Sequence, residues 1–404
     1  MDLRPDMSAG DRLKVARRAA GLTQEQLAER AAVNVDTIRK LEQNQRQSMR
    51  VTTANALASA IGIETTALLL GTAATEATQD PQLLLIRQAL VPANHFAPAT
   101  DDDAEDTAPT PAAIRQSAED AWTLYHAGEF ASLSNILPGL IAEARVSARE
   151  HANGSTAAAH AALAKTLQLG AHAMVQNQME DLALLGLDQA MAAAQRADDP
   201  LLAAMMANSV AWVFLRTGRL ADSERVATAT ADGIEPTFRR SAPHHVAVYG
   251  GLLLSAMTAA ARQQRFDLAR ELLAVAQAAA QRIGEDSTDR WTTVFGPTSV
   301  AMQAVSLEAA AGEWHRVLDL SQHVPLSGKT PTSWKVRFLL DVAHAQADTH
   351  RDSDAVETLR TIRRLAPGWM QRHGLAVAVA RELLARKHRP TGIITLADFL
   401  GIAR

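Results

Sequence analysis

GLTQEQLAERAAVNVDTIRKLE, residues 21–42, decides how this chain folds. The hydroxyl of Thr23 can cap a helix, and Gln26 three residues on completes a reciprocal capping pattern. Leu27 and Ala28 supply that helix with a buried face. Ala31-Ala32-Val33 makes a tight turn, and Asn34 caps a second helix. Ile38 and Leu41 are spaced three apart and point inward together. The outer face of the second helix then carries Val35, Asp36, Thr37, Arg39 and Lys40.

Two short helices joined this way form the pattern of a helix-turn-helix, whose second helix lies in the DNA major groove. Working outward, Asp11–Ala20 is expected to be a first helix, with Leu13 and Ala16 inward and Gly21 ending it. Gln43-Asn44-Gln45 is a loop in which Asn44 tolerates a left-handed backbone, and Arg46–Arg50 extends it as a basic stretch. Val51–Ile61 reads as a fourth helix and Thr65–Leu70 as a short fifth, closing a small bundle. Asp36 is odd beside phosphates: it either accepts from cytosine N4 or orients Arg39.

Composition limits the classes open to the whole chain. At 404 residues it is long enough for two or more units. Aromatics are only 4%, and Ala and Leu dominate, which favours closely packed helices. With no cysteine there is neither disulfide nor thiolate chemistry. No apolar run approaches a membrane span and the start lacks a signal core, so a cytoplasmic protein with no membrane partner is expected. Residues 1–71 hold 10 Lys and Arg against 8 Asp and Glu, whereas the remainder holds 30 against 36. A mildly basic head on an acidic body suits DNA at one end and another partner at the other.

Leu13, Arg17, Gly21-Leu22-Thr23-Gln24, Leu27-Ala28, Val33, Ile38, Leu41-Glu42, Leu57-Ala58, Ile61-Gly62-Ile63 and Leu68-Leu69 together resemble the Xre/lambdoid-phage-repressor family of DNA-binding domains over residues 11–70. The resemblance implies that Gln24 helps to grip the phosphate backbone and that Val35, Asp36, Thr37 and Lys40 face base edges. It also implies that Arg17 and Glu42 form a structural ion pair. Asn34, Arg39 and Arg46 complete the expected DNA-binding set. The family often has Gly or Asn-Gly after its third helix, where this chain has Gln43-Asn44.

Beyond the head (1–71), residues 72–111 read as a linker. It holds a short amphipathic helix at Asp80–Val91, then PANHFAPATDDDAEDTAPTP, a segment with four prolines and five carboxylates. From 112 to 404 the chain repeats one grammar: an apolar helix, a polar turn and a second helix. The residues just after the turns are Phe130, Glu180, Leu220, Phe266, Trp314 and Asp352, at spacings of 50, 40, 46, 48 and 38. Ala183, Ala269 and Ala355 recur where paired helices need close approach. This is similar to tetratricopeptide repeats, though looser and longer. Such pairs stack into a superhelix with a concave inner surface, and Leu375–Lys387 is expected to cap the stack. The expected fold is therefore all-α: a five-helix head plus a tetratricopeptide-like α-solenoid.

No catalytic or metal site is apparent. The 13 histidines are scattered, adjacent His244 and His245 point apart, and His160 and His172 are too distant to chelate one ion. There is no phosphate-cradling glycine loop and no nucleophile with a local base. Neither enzyme activity nor a cofactor is expected. Polar residues on the first helices are candidates for an inner-groove ligand: Gln168, His172, Asn208, Tyr249, Thr298, Gln303, Arg337 and Asp341. Asn208 sits in an apolar run, so it is either satisfied by a neighbouring helix or faces a ligand. Thr298-Ser299 begins a helix, as a plain cap or as an anion site. An Xre-type head on such a body resembles peptide-pheromone-sensing (quorum-sensing) regulators and the Xre regulators of actinobacteria, to which FGPTSV and GEW look similar. That resemblance implies a homodimer on double-stranded DNA with a two-fold operator, and a small-molecule or peptide effector in the groove. The rival reading is a protein-interaction scaffold with secondary or autoregulatory DNA binding.

Overall fold

The computed structural model describes residues 8–45, 51–61, 63, 68, 81–92, 108–151, 156–237, 239–286, 294–326 and 330–402. Among these residues there are helices, turns and no strand. The chain divides into two compact units, residues 1–85 and 86–404.

In the first unit α1 is Ala9–Ala19, α2 is Gln24–Ala31, α3 is Val35–Glu42 and α4 is Val51–Ile61. α1 starts two residues before the expected Asp11, because the Ser8 hydroxyl caps it by accepting from the Asp11 amide at 3.0 Å. Thr23 and Gln26 form the expected reciprocal cap: the Gln26 amide donates to Thr23 Oγ1 at 3.1 Å and the Thr23 amide donates to Gln26 Oε1 at 2.9 Å. The turn passes through Ala32, which takes the left-handed conformation at φ 51°. Asn44 does the same at φ 56°. Leu13, Leu27, Ile38 and Leu57 are fully buried together. α1 crosses the end of α3 at Gly10, where an added Cβ would lie 1.9 Å from the Leu41 carbonyl oxygen. Arg46–Arg50 lies outside the described residues. So does the expected fifth helix except for Leu68, which is buried and whose carbonyl accepts from Arg12 Nε at 2.9 Å.

α5, Pro81–Leu90, was expected inside the linker, but its C-terminal end is built into the second unit. Arg145 and Gln189 both donate to the Leu90 carbonyl, at 3.1 and 3.0 Å. The Leu90 side chain fills the space over Gly170 and Gly186, where added Cβ atoms would lie 3.0 and 3.2 Å from it. Six helix pairs follow: α6 (Pro111–Ala127) with α7 (Phe130–Glu150), α8 (Thr156–Gln176) with α9 (Glu180–Arg196), and α10 (Pro200–Arg216) with α11 (Leu220–Gly233). Then come α12 (Pro243–Arg262) with α13 (Phe266–Ile283), α14 (Pro297–Ala310) with α15 (Trp314–Ser321), and α16 (Thr332–Asp348) with α17 (Asp352–Leu365). The stack curls far enough to bring α16 back against α6.

All six second helices begin at the residue aligned from sequence. Two positions earlier, Gly128, Gln178, Gly218, Gln264, Gly312 and His350 all have φ between 59° and 82°. The next residue donates its amide to the carbonyl five back, as in Glu129 to Leu124 at 2.9 Å and Arg351 to Gln346 at 2.8 Å. This is a Schellman turn repeated six times: it ends one helix and fixes the start of the next. Its tightness holds the six turns alike, while unequal helices, from 21 residues in α7 to 8 in α15, spread the period. Three of the six left-handed positions lack glycine. Gln264→Gly and His350→Gly are each expected to stabilise the body by about 0.5–1 kcal/mol, because the left-handed strain relieved exceeds glycine's extra unfolded entropy. Thermal or denaturant unfolding measures the change, and a loss of stability in both variants contradicts it.

The terminal cap has three helices where one was expected: α18 (Pro367–Arg372), α19 (Gly374–Ala385) and α20 (Ile393–Phe399). Pro367 removes an amide donor and starts a new helix after α17. Met370, Val379, Leu383, Ile393 and Leu396 then join Leu340, Leu359 and Ile362 in one core.

Candidate nucleic-acid interface and the groove residues

α3 is held from behind by a buried polar lock. Arg17 Nε donates to Glu42 Oε1 at 2.6 Å, Nη2 donates to Oε2 at 2.8 Å, and Nη1 donates to the Leu22 carbonyl at 2.7 Å. Gln24 Nε2 adds a bond to Glu42 Oε2 at 2.8 Å. A bidentate guanidinium–carboxylate pair fixes both position and plane. It ties α1, the turn before α2, and the end of α3 together. Gln24, expected on phosphate, directs its amide nitrogen to this lock, although the residue is half-buried and not sealed in.

On the opposite face, Asp36 and Lys40 are exposed, and Val35 and Thr37 are half-buried. The Asn34 side-chain oxygen accepts from the Asp36 amide at 2.8 Å and caps α3. Arg39 bridges Glu25 of α2 at 2.8 Å and Asp36 at 3.5 Å. Of the two readings of Asp36, orientation of Arg39 has a contact in this structure. Both partners are exposed, so the bridge adds little stability. It does set where the guanidinium sits. Arg46 lies outside the described residues.

The eight groove candidates do not gather into one site. Gln168 and His172 converge on Ser209, with Gln168 Nε2 2.8 Å and His172 Nε2 2.9 Å from its hydroxyl. Lys165, only 2% exposed, donates to Gln168 Oε1 at 2.9 Å. Its ammonium lies 4.8 Å from the Trp122 ring centroid. Both ends of the Gln168 amide are therefore engaged internally. The His172 ring packs against Trp122, Tyr125 and Trp212 at centroid distances of 5.1, 5.6 and 4.8 Å. Burial, helped by the charges of Lys165 and His126, pushes the His172 imidazole down to about 3, so it is neutral near pH 7. Burial likewise pushes Tyr125 up to about 12, against a hydrogen bond from Gln176. Lys165 and Ser209 were missed in the sequence. The visible signal was a single lysine in the Ala- and Leu-rich run of α8.

The other candidates are scattered. The Asn208 side-chain oxygen accepts from the Ser255 hydroxyl at 2.6 Å, so a neighbouring helix satisfies it. Buried Asp341 accepts from Arg337 at 2.5 Å within α16. Tyr249 is buried on α12, with its phenol raised by burial and by the charges of Glu235 and Asp232. Gln303 is half-buried on α14. Thr298 does not open onto a ligand site. The anion at the start of α14 comes from the chain itself, because Asp286 Oδ1 accepts from the Thr298 amide at 3.0 Å. The Thr298 hydroxyl donates to the Pro325 carbonyl at 3.4 Å, and the Ser299 hydroxyl bonds the Gly296 backbone at 2.9 Å. FGPTSV is thus a structural clasp.

Comparison with known proteins agrees with the geometry of the first unit. Residues 8–69 match the model of a helix-turn-helix domain family. A comparison with the curated proteins finds no match. Among solved structures, Bacillus thuringiensis PlcR in complex with the peptide PapR7 and DNA is similar at 11% identity and a TM-score of 0.38, over 85% of this chain and 98% of that one. Pseudomonas aeruginosa pilF is similar at 16% identity and a TM-score of 0.34, over 63% of this chain and 94% of that one. Residues 8–69 are a helix-turn-helix domain, carried in one chain with a body of stacked helix pairs.

Proposed function

We propose that this protein is a sequence-specific DNA-binding transcriptional regulator whose repeat body dimerises and senses a small molecule or peptide. The observation that carries the reading is the presentation of α3. The buried Arg17–Glu42 pair, joined by half-buried Gln24, holds its inner side, and Val35, Asp36, Thr37 and Lys40 stand on its outer side. One recognition helix reads few bases, so a dimer on a two-fold site supplies the affinity. In this reading the protein is cytoplasmic and not an enzyme. No helix among the described residues is long and apolar enough to cross a membrane.

Selection from a randomised duplex pool at moderate salt tests the reading. An enriched two-fold sequence is expected, and a pool that stays random overturns it in favour of an interaction scaffold. On the selected duplex, a Val35→Ala, Lys40→Ala double variant is expected to bind at least about tenfold more weakly, because base contacts contribute about 1–3 kcal/mol each. Its folding should be unchanged, since neither side chain is part of the core. Equal binding by parent and variant contradicts the assigned face of α3.

A further inference from the structure

The first and sixth helix pairs meet at a cavity of about 350 Å³, which none of the eight groove candidates lines. Its walls come from the turn after α6, the start of α7, the ends of α8 and α10, the start of α16, the end of α17, and α18. A volume of this size suits a small organic molecule.

The walls have two chemical halves. One is flat and apolar: Phe130 from α7, and Trp369 with its ring 4.4 Å from that of His373 and tilted by 31°. The other is electropositive. Arg216 lines it and reaches Glu180 only at 3.8 Å. Thr332 and Ser333 line it at the start of the 17-residue α16, whose N-cap, Pro331, makes no side-chain hydrogen bond. His373 Nδ1 is buried there without a hydrogen-bond partner. Burial, then the charges of Arg337 and Arg216, pushes the His373 imidazole down to about 4. Burial disfavours either sign of charge, but the Arg337 and Arg216 charges that oppose a proton on His373 favour an anion.

We propose that this seam cavity binds a small aryl carboxylate. Its carboxylate lies at Arg216 and the α16 N-terminus, and its ring lies against Trp369 and Phe130. An Arg–carboxylate bond is charge-assisted, and a helix N-terminus favours the same charge. Such a ligand touches the first and last pairs at once, so it holds the curl of the stack at one setting. That regulatory consequence rests on the regulator reading, whereas the site itself does not.

Calorimetric titration of the full chain with 2-naphthoate tests the site. Saturable binding at one site is expected, with 2-naphthamide and the Arg216→Gln variant each weaker by about tenfold, or about 1.4 kcal/mol. Gly368 lines the cavity, and a Cβ added there meets nothing within 4 Å. Gly368→Leu should therefore fold with an unchanged melt and lose binding. Three results overturn the proposal: no saturable binding up to about 5 mM, a range in which even weak ligands register; equal affinity for acid and amide; or undiminished binding in Gly368→Leu. Calorimetry uses no DNA, so a failure to retain any duplex counts against the regulator reading alone.

Discussion

A Glu42→Ala variant is expected to unfold the helix-turn-helix unit at a much lower temperature than the parent and to abolish retention of DNA. The Glu42 and Arg17 side chains are only 2% and 10% exposed, so the truncation leaves a buried guanidinium without its carboxylate. Removing one partner of a buried pair costs about 3–5 kcal/mol, a large share of the stability of a small domain. The repeat body has its own core and should keep its own transition, so calorimetric melting of the full chain separates the two. A change under about 0.5 kcal/mol, the size seen at ordinary surface positions, refutes the lock.

The same residue sets an acid limit. Burial alone would raise the Glu42 carboxyl, but hydrogen bonds from Arg17 and Gln24 and the charge of Arg17 outweigh it and hold it below the ordinary glutamate value. A carboxyl lowered by folding contributes stability that is fully present above its unfolded pKa and is lost as pH falls through the folded one. The unit's melting temperature should drop across that acid window in the parent. It should depend less on pH in Glu42→Gln, which has no carboxylate to protonate. An equally steep profile in both places the titration elsewhere.

What could be read from sequence follows from how far apart the interacting residues lie. The Thr23–Gln26 cap, the Asn34 cap and the six helix starts depend on neighbours within a few positions, and local pattern exposes them. Half of the left-handed turn positions are glycines and declare themselves, but Gln178, Gln264 and His350 adopt the same φ because the packed helices on either side require it. Polar residues on the first helices looked like ligand contacts because their partners were invisible. Gln168 meets Ser209 across 41 positions, and Asn208 meets Ser255 across 47. Thr298 looked like an open anion site because nothing local says that Asp286 folds onto it. The seam cavity brings Phe130 and Trp369 together only through the accumulated curl of six pairs. No window of sequence contains that curl.

Phe295→Ala should be the most damaging single change in the repeat body. Phe295 is fully buried. Its ring lies on α12 at Gly250, where an added Cβ would come within 2.1 Å of Cζ. Truncating a buried phenylalanine costs about 3–5 kcal/mol. Here it also frees the adjoining clasp, in which Asp286 holds the first turn of α14. Gly250→Ala attacks the same contact from the other side. The methyl and the ring cannot share the space, so the ring must move, at about 1–3 kcal/mol for overpacking. Because both changes act on one contact, the double variant should be less destabilised than the two singles combined, with a coupling of about 1 kcal/mol or more. Chemical denaturation of the four proteins gives that coupling directly, and hydrogen exchange at the start of α14 should accelerate in Phe295→Ala. Strict additivity would mean that Phe295 is not held by its seat on Gly250. The glycine would then owe its place on α12 to something other than this ring.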